Sequence, residues 1–340
     1  MSNDALVVGV VGFGYWGPNL TRNFNAFPGA RLKAVADRDS GRRQAASHQY
    51  HGIEVHEDAQ AIFDDPDIQA VALATPLFTH YPLAKAALEA GKHVLVEKPM
   101  AGSTAECEEL VGLAQDKGLT LMVDHTFLYT GAVRKIRELI ESGHLGKVLY
   151  FDSVRINLGL FQPDFNVVWD LAPHDLSILD YVLQGKEARW VSAIGVSHYG
   201  GHENLAYLTI GFDDGLLGHV HCNWVAPVKT RRITIAGTER MLVYDDTQPA
   251  ERVKVYESGV DVERLDSETK YRINVQYRTG DILTPKLDPR EPLRMVIEDF
   301  VASCQSGEAP VSSAGTGLRV VKVLEAAQES IKNQGKRVEV

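Results

Sequence analysis

Short apolar runs alternate with helix-patterned segments through the first 125 residues, the arrangement of βαβ units around a parallel sheet. The expected strands are Ala5 to Val11, Leu32 to Ala36, Ala70 to Ala74, Val94 to Val96 and Leu119 to Val123. Pro18 suits the first position of a helix, Gly91 and Gly118 follow helical segments as stops, and Ser103 with Glu106 has capping-box spacing. This half is expected to be doubly wound.

The pattern changes after about Asp124. A helix is expected near Gly131 to Ser142, an alternating strand at Val148 to Asn157, and a second helix at Pro173 to Leu183. Strands then follow in series: Trp190 to Ser197, Leu205 to Phe212, Leu216 to Trp224, Arg232 to Ala236 and Met241 to Asp245. Turn residues such as Gly200-Gly201 and Asp213-Asp214-Gly215 separate them, which points to a largely antiparallel sheet. The polar, weakly periodic stretch from Ala250 to Pro292 is expected to be excursions from that sheet and not a third domain. Helices at about Glu291 to Ser303 and Gly315 to Asn333 finish the chain. The expected organisation is residues 1–125 as a nucleotide-binding α/β domain and 126–340 as an α+β domain for substrate and oligomerisation.

Composition narrows the partners. The chain has 340 residues, and 35 Lys and Arg against 45 Asp and Glu give a formal charge of −10, which disfavours nucleic acid and anionic membrane surfaces. The longest apolar runs fall far short of the roughly 20 residues that span a bilayer. No basic region or cleavage site precedes the first strand, so a cytoplasmic protein is expected. Cys107, Cys222 and Cys304 are widely spaced, which argues against a disulfide framework or a zinc site, and no metal is expected.

The first strand runs into Gly12-Phe13-Gly14-Tyr15-Trp16-Gly17, with glycines at G-x-G-x-x-G spacing before a helix. Gly12 permits the tight turn, Gly14 lets backbone approach a pyrophosphate, and Gly17 allows close packing of helix on strand. The second strand ends in Asp37, 25 positions after Gly12, near the separation of about 20 expected for an acid that binds ribose hydroxyls. Asp37 would repel a 2′-phosphate and so favours NAD over NADP, although Arg38 beside it could pair with such a phosphate.

Other strand ends carry further chemistry. Ala74-Thr75-Pro76 is followed by His80, and the run from His93 ends in Glu97-Lys98-Pro99. Successive strand residues face opposite ways, so Glu97 and Lys98 cannot share a face, and Lys98 is the one expected to look into the ligand crevice. Asp170 and His174, at i and i+4, share one face of a helix. Arg155 and Asn157 alternate on one strand face, and Lys229, Arg231 and Arg232 cluster after Trp224; these side chains suit a phosphate, a carboxylate or sugar hydroxyls. His125 stands at the domain junction as either a structural or a cleft residue.

At these residues the chain resembles the Gfo/Idh/MocA family, the glucose-fructose oxidoreductase and inositol dehydrogenase group. The resemblance is carried by Gly12 to Gly17, Ala74-Thr75-Pro76 with His80, Gly91 to Pro99, and Asp170 with His174. It implies an N-terminal Rossmann domain and a C-terminal domain whose open sheet helps to build the substrate site and an oligomer interface, as a homodimer or homotetramer. It also implies that Lys98 and His174 act at the carbon that exchanges hydride, with Asp170 binding or orienting substrate. Cofactor contacts are then expected from Gly12, Phe13, Gly14, Tyr15, Trp16, Gly17, Asp37, Arg38, Thr75, Pro76, His80, Glu97 and Lys98. Substrate contacts are expected from Lys98, Arg155, Asn157, Asp170, His174 and Arg231. Where many members have Gly two positions before the histidine, this chain has Ala172-Pro173. Trp169-Asp-Leu-Ala-Pro-His-Asp175 looks like members acting on sugars and nucleotide sugars at C3.

The residue types fit that chemistry independently. Oxidation of a secondary alcohol needs a base for the hydroxyl proton, and a neutral imidazole with a pKa near about 6.5 is suited to it. Lys98 either stabilises the developing alkoxide or, desolvated, becomes the base itself. The expected function is an NAD(P)-dependent oxidoreductase of a sugar, nucleotide sugar or cyclic polyol. A glycosidase of the same fold without net redox change and a non-catalytic dinucleotide sensor are the alternatives.

Overall fold

The computed structural model describes residues 5–159, 161–162, 164–263 and 274–340. The chain divides into two compact units, residues 1–130 with 290–325, and residues 131–289 with 326–340.

In the first unit, β1 (Leu6–Val11), α1 (Gly17–Ala26), β2 (Ala30–Ala36), α2 (Ser40–Gln49), β3 (Glu54–His56), α3 (Gln60–Phe63), β4 (Ala70–Leu73), α4 (His80–Glu89), β5 (His93–Glu97), α5 (Thr104–Lys117) and β6 (Leu121–Asp124) alternate along the chain. The six strands lie in the order β3-β2-β1-β4-β5-β6, all parallel. Val8, Val10, Val71, Ala72, Leu95, Val96 and Met122 have no exposed surface, because a sheet covered on both faces buries every residue of its central strands. The order reverses between β1 and β4, and in such sheets ligands bind at the carboxyl ends beside that point. Local signals hold where expected: Ser103 accepts from the amide of Glu106, and Gly118 closes α5 at φ 65°. The edge strand β3 is short and polar, so nothing in its pattern announces it.

The second unit contains α6 (Gly131–Glu141), β7 (Val148–Leu158), α7 (Val167–Val182), β8 (Trp190–Val196), β9 (Leu205–Gly211), β10 (Leu217–Asn223), β11 (Val225–Gly237), β12 (Met241–Asp245), β13 (Val253–Tyr256), β14 (Gly259–Glu263), β15 (Asn274–Arg278) and β16 (Ile282–Leu283). After them come α8 (Pro292–Ser306), grouped with the first unit, then α9 (Ala314–Lys332) and β17 (Val338–Glu339). A nine-stranded sheet has the order β16-β13-β12-β11-β7-β10-β9-β8-β17. Only β7 and β10 run parallel within it, so the sheet is mixed and mainly antiparallel. The charged stretch after Ala250 contributes β13 and β16 to this sheet and pairs β14 with β15, while 264–273 lie outside the described residues. One face of the sheet carries α7, which packs on β7, β9 and β10.

The helix expected from Pro173 begins earlier, at Val167. Asn166 caps it, accepting from the amides of Val168 and Trp169, and Pro173 falls inside the helix, where it has no amide to donate to the carbonyl four residues earlier. Asp170 therefore falls in the first turn and His174 one turn further on.

Candidate active site

The glycine turn follows β1 in a conformation that few other residues could adopt. Gly12 has φ 93°, and a Cβ there would lie 2.4 Å from the carbonyl oxygen of Ala74. A Cβ on Gly17 would lie 2.0 Å from the oxygen of Gly12. A Cβ on Gly14 would meet only the Arg42 guanidinium, at 3.2 Å, a flexible group that can move. The three positions therefore have different tasks. Gly14→Ala is expected to unfold at the wild-type temperature yet bind NAD+ at least about tenfold more weakly, because the added methyl stands where a pyrophosphate would approach. Gly17→Ala is expected to lower the unfolding temperature as well. Equal NAD+ titrations of Gly14→Ala and wild type would refute that division.

Asp37 follows β2 with its side chain 7% exposed. Its Oδ2 accepts from the amide of Phe13 at 2.6 Å and its Oδ1 from the amide of Asp39 at 2.8 Å, so the acid ties β2 to the glycine turn. Arg42 Nη1 lies 3.6 Å from Oδ2. Around them is a groove of about 380 Å³ lined by Gly12, Gly14, Asp37, Arg38, Arg42, Thr75, Pro76 and Phe78, among others. Bare glycine backbone, the start of α1 and an acid at the end of β2 fit a dinucleotide's pyrophosphate and ribose. Arg42 was not marked by the sequence motif, because it is one of two adjacent arginines on a helix and only the fold shows which lies over the turn.

His80 does not line this groove. Its ring is buried, with Nδ1 2.8 Å from the carbonyl of Pro99 and Nε2 2.8 Å from that of Thr75. It is a strut between the ends of β4 and β5, and burial holds its pKa below the usual histidine value. Tyr15 is 92% exposed, whereas Trp16 turns inward and its Nε1 donates to Asp124 Oδ2 at 3.0 Å.

The ends of β5 and β6 lie side by side, with Glu97 and Asp124 as cross-strand partners. Glu97 Oε2 accepts from the amide of Lys98, and the Lys98–Pro99 peptide is cis. Lys98 is half-buried. His125 is buried with no hydrogen-bond partner at either ring nitrogen among the described residues, and burial together with the charge of Lys98 lowers its pKa to about 3. It is a neutral imidazole at any ordinary pH.

In the second unit, Trp224 Nε1 donates to Asp170 Oδ2 at 3.0 Å, and His174 stands one turn along α7. Asp175 is gripped by Arg155, whose Nε and Nη2 donate to its two oxygens at 2.9 and 2.8 Å, with side chains 4% and 2% exposed. Its fork is aimed at Asp175 inside the core and holds α7 against β7. Asn157 lies two residues further along β7 and is only half-buried. Arg231 bonds Asp246 at 3.3 Å while keeping part of its side chain exposed. Among the described residues, no cluster of His, Cys, Asp or Glu is arranged to hold a metal, and no helix is long and apolar enough to cross a membrane.

Comparison with known proteins agrees with this geometry. Residues 6–125 match the oxidoreductase family with an NAD-binding Rossmann fold, and residues 133–243 match the GFO/IDH/MocA C-terminal domain. Inositol 2-dehydrogenase 2 of Saccharopolyspora erythraea is 33% identical over 52% of this chain and 53% of its own. The 2,7-anhydro-N-acetylneuraminate hydratase of Mediterraneibacter gnavus is 30% identical over 60% and 58%. The chain thus spans little more than half the length of these relatives. The crystal structure of GenD2 from gentamicin A biosynthesis, in complex with NAD, superposes with a TM-score of 0.82 at 25% identity, covering 99% of this chain and 97% of that one. The glycine turn, the acid after β2 and the two matched domains together make this chain a member of the Gfo/Idh/MocA family of NAD-binding oxidoreductases.

Proposed function

We infer that the protein is an NAD(P)-dependent dehydrogenase or ketoreductase acting on a secondary alcohol or ketone of a cyclic polyol, sugar or nucleotide sugar. The observation that carries this reading is the setting of Lys98. It follows an apolar strand of the nucleotide-binding sheet, and the next residue is strapped by His80 to Thr75 of the groove wall. The cofactor supplies a hydride acceptor, or donor, at nicotinamide C4. The protein's own groups handle the proton and the oxygen. His174 is the proposed acceptor of the hydroxyl proton, and Lys98 the proposed donor that stabilises the developing negative charge on oxygen. Asp170, oriented by the Trp224 indole, binds a neighbouring hydroxyl of the substrate. Asp37 selects NAD, while Arg38 and Arg42 leave NADP a weaker alternative.

A second reading, chemistry with no net change in NAD, is favoured by the hydratase among the relatives. The deciding experiment incubates the protein and NAD+ with inositols, free hexoses and nucleoside-diphosphate hexoses, following NADH formation and bond cleavage together. NADH formation with at least one class is expected. Cleavage or water addition without accumulating NADH would replace the first reading by the second, and NAD+ binding without either would mark a sensor.

A further inference from the structure

We propose that Glu97 and Asp124 share one proton, with Glu97 the neutral acid and Asp124 the charged partner, and that Asp124 is thereby the positioning residue that locks the glycine turn to the strand ends. The proposal rests on the reading of this unit as a dinucleotide site and not on the choice of substrate. The two residues are direct partners on neighbouring parallel strands, which run about 4.8 Å apart. Asp124 is 2% exposed, and both its oxygens already accept: Oδ2 from Trp16 Nε1 at 3.0 Å and Oδ1 from Thr126 Oγ1 at 2.7 Å. Those donors favour the negative charge on Asp124. Glu97 has the opposite surroundings. Its Oε2 receives one amide hydrogen at 3.2 Å, and its Oε1 is sealed from solvent with no donor among the described residues.

Two adjacent buried carboxylates cannot both ionise cheaply, and neither can donate to the other. One proton on Glu97 removes the repulsion and gives the pair a donor between them, which two charged carboxylates lack. Burial and the neighbouring Asp124 push the Glu97 carboxyl well above the usual carboxylate range, a tendency that Lys98 opposes without reversing. The consequence is mechanical. Trp16 immediately precedes α1, so its bond to Asp124 fixes the helix start that faces a pyrophosphate relative to the strand that ends in Lys98.

The test uses the whole chain and two readouts that need no substrate. The infrared spectrum at pH 8 is expected to contain the carbonyl band of a buried carboxylic acid, present in wild type and lost in Glu97→Gln. Asp124→Leu, which can accept from neither Trp16 nor Thr126, is expected to bind NAD+ at least about tenfold more weakly. Should Asp124→Leu not fold, the band assignment in wild type and Glu97→Gln still decides the matter. An unchanged band in Glu97→Gln, or wild-type NAD+ affinity in a folded Asp124→Leu, would overturn the proposal. Failure to find any oxidisable substrate would leave both readouts intact and count against the functional reading alone.

Discussion

Lys98→Met is expected to lower turnover by about 10² to 10⁴-fold while leaving NAD+ affinity within a few-fold of wild type. Methionine keeps much of the length and apolar stem of lysine and removes the charge and all three donors. An interaction that grows as the oxygen becomes an alkoxide acts on the transition state, so its loss appears in kcat and not only in KM. The groove that fits a dinucleotide is lined by Gly12, Gly14, Asp37 and Thr75, among others, and Lys98 is not part of that lining, which is why binding should survive. Steady-state kinetics on whichever substrate class yields NADH, with NAD+ titration of the same variant, separates the two quantities. Turnover equal to wild type would remove Lys98 from the chemistry.

Arg155→Met is expected to destabilise the protein by about 3 to 5 kcal/mol, because it leaves Asp175 buried as an uncompensated charge. For a unit of this size each kcal/mol moves the unfolding midpoint by roughly 2 to 4 °C, so a fall of about 6 to 20 °C should be seen by calorimetry. Arg155→Met combined with Asp175→Leu is expected to recover most of that loss, since a buried pair exchanged for apolar groups is often neutral. A single variant as stable as wild type would mean that the fork on Asp175 carries little of the α7 anchoring. The effect also bears on function, because His174 is the residue before Asp175 and shares its helix. Any surviving activity of the double variant measures how far the ion pair matters for placement of the helix and how far for stability alone.

These two residues show what the sequence makes legible. Lys98 stands out because everything that marks it is local: an apolar run, a change to charge, and a proline. The glycine turn is legible for the same reason, since the positive φ of Gly12 and the contact of Gly17 with the Gly12 carbonyl arise within a few residues, whereas the approach of Gly12 to Ala74 does not. Arg155 is harder to read because alternation along β7 shows that it shares a face with Asn157 but not which face is covered. Only with α7 packed on that sheet does its partner, 20 positions away, come into reach. Asp124 is harder still. Its bond to Trp16 joins residues 108 positions apart, and its pairing with Glu97 depends on the register of β5 and β6. A proline suggests a helix start near Pro173, whereas the cap of α7 is Asn166, whose side chain accepts from two amides well before it.

The division of labour between two matched domains follows the same logic. The first half supplies backbone and acids for a dinucleotide, and such groups are written as short motifs. The second supplies side chains from strands and a helix whose faces are set by tertiary packing. Their chemistry therefore has to be read from partners such as Trp224 for Asp170 and Asp246 for Arg231.

The claim that hydride moves between nicotinamide and a carbinol carbon is tested most directly by isotope transfer. A polyol or sugar from the reactive class, deuterated at the carbon to be oxidised, is incubated with the protein and NAD+, and the resulting NADH is examined by NMR. Deuterium at nicotinamide C4, appearing in step with ketone and slowed about 10² to 10⁴-fold in Lys98→Met, is the expected result. NADH without deuterium, or product formed while the label stays on its carbon, would contradict it.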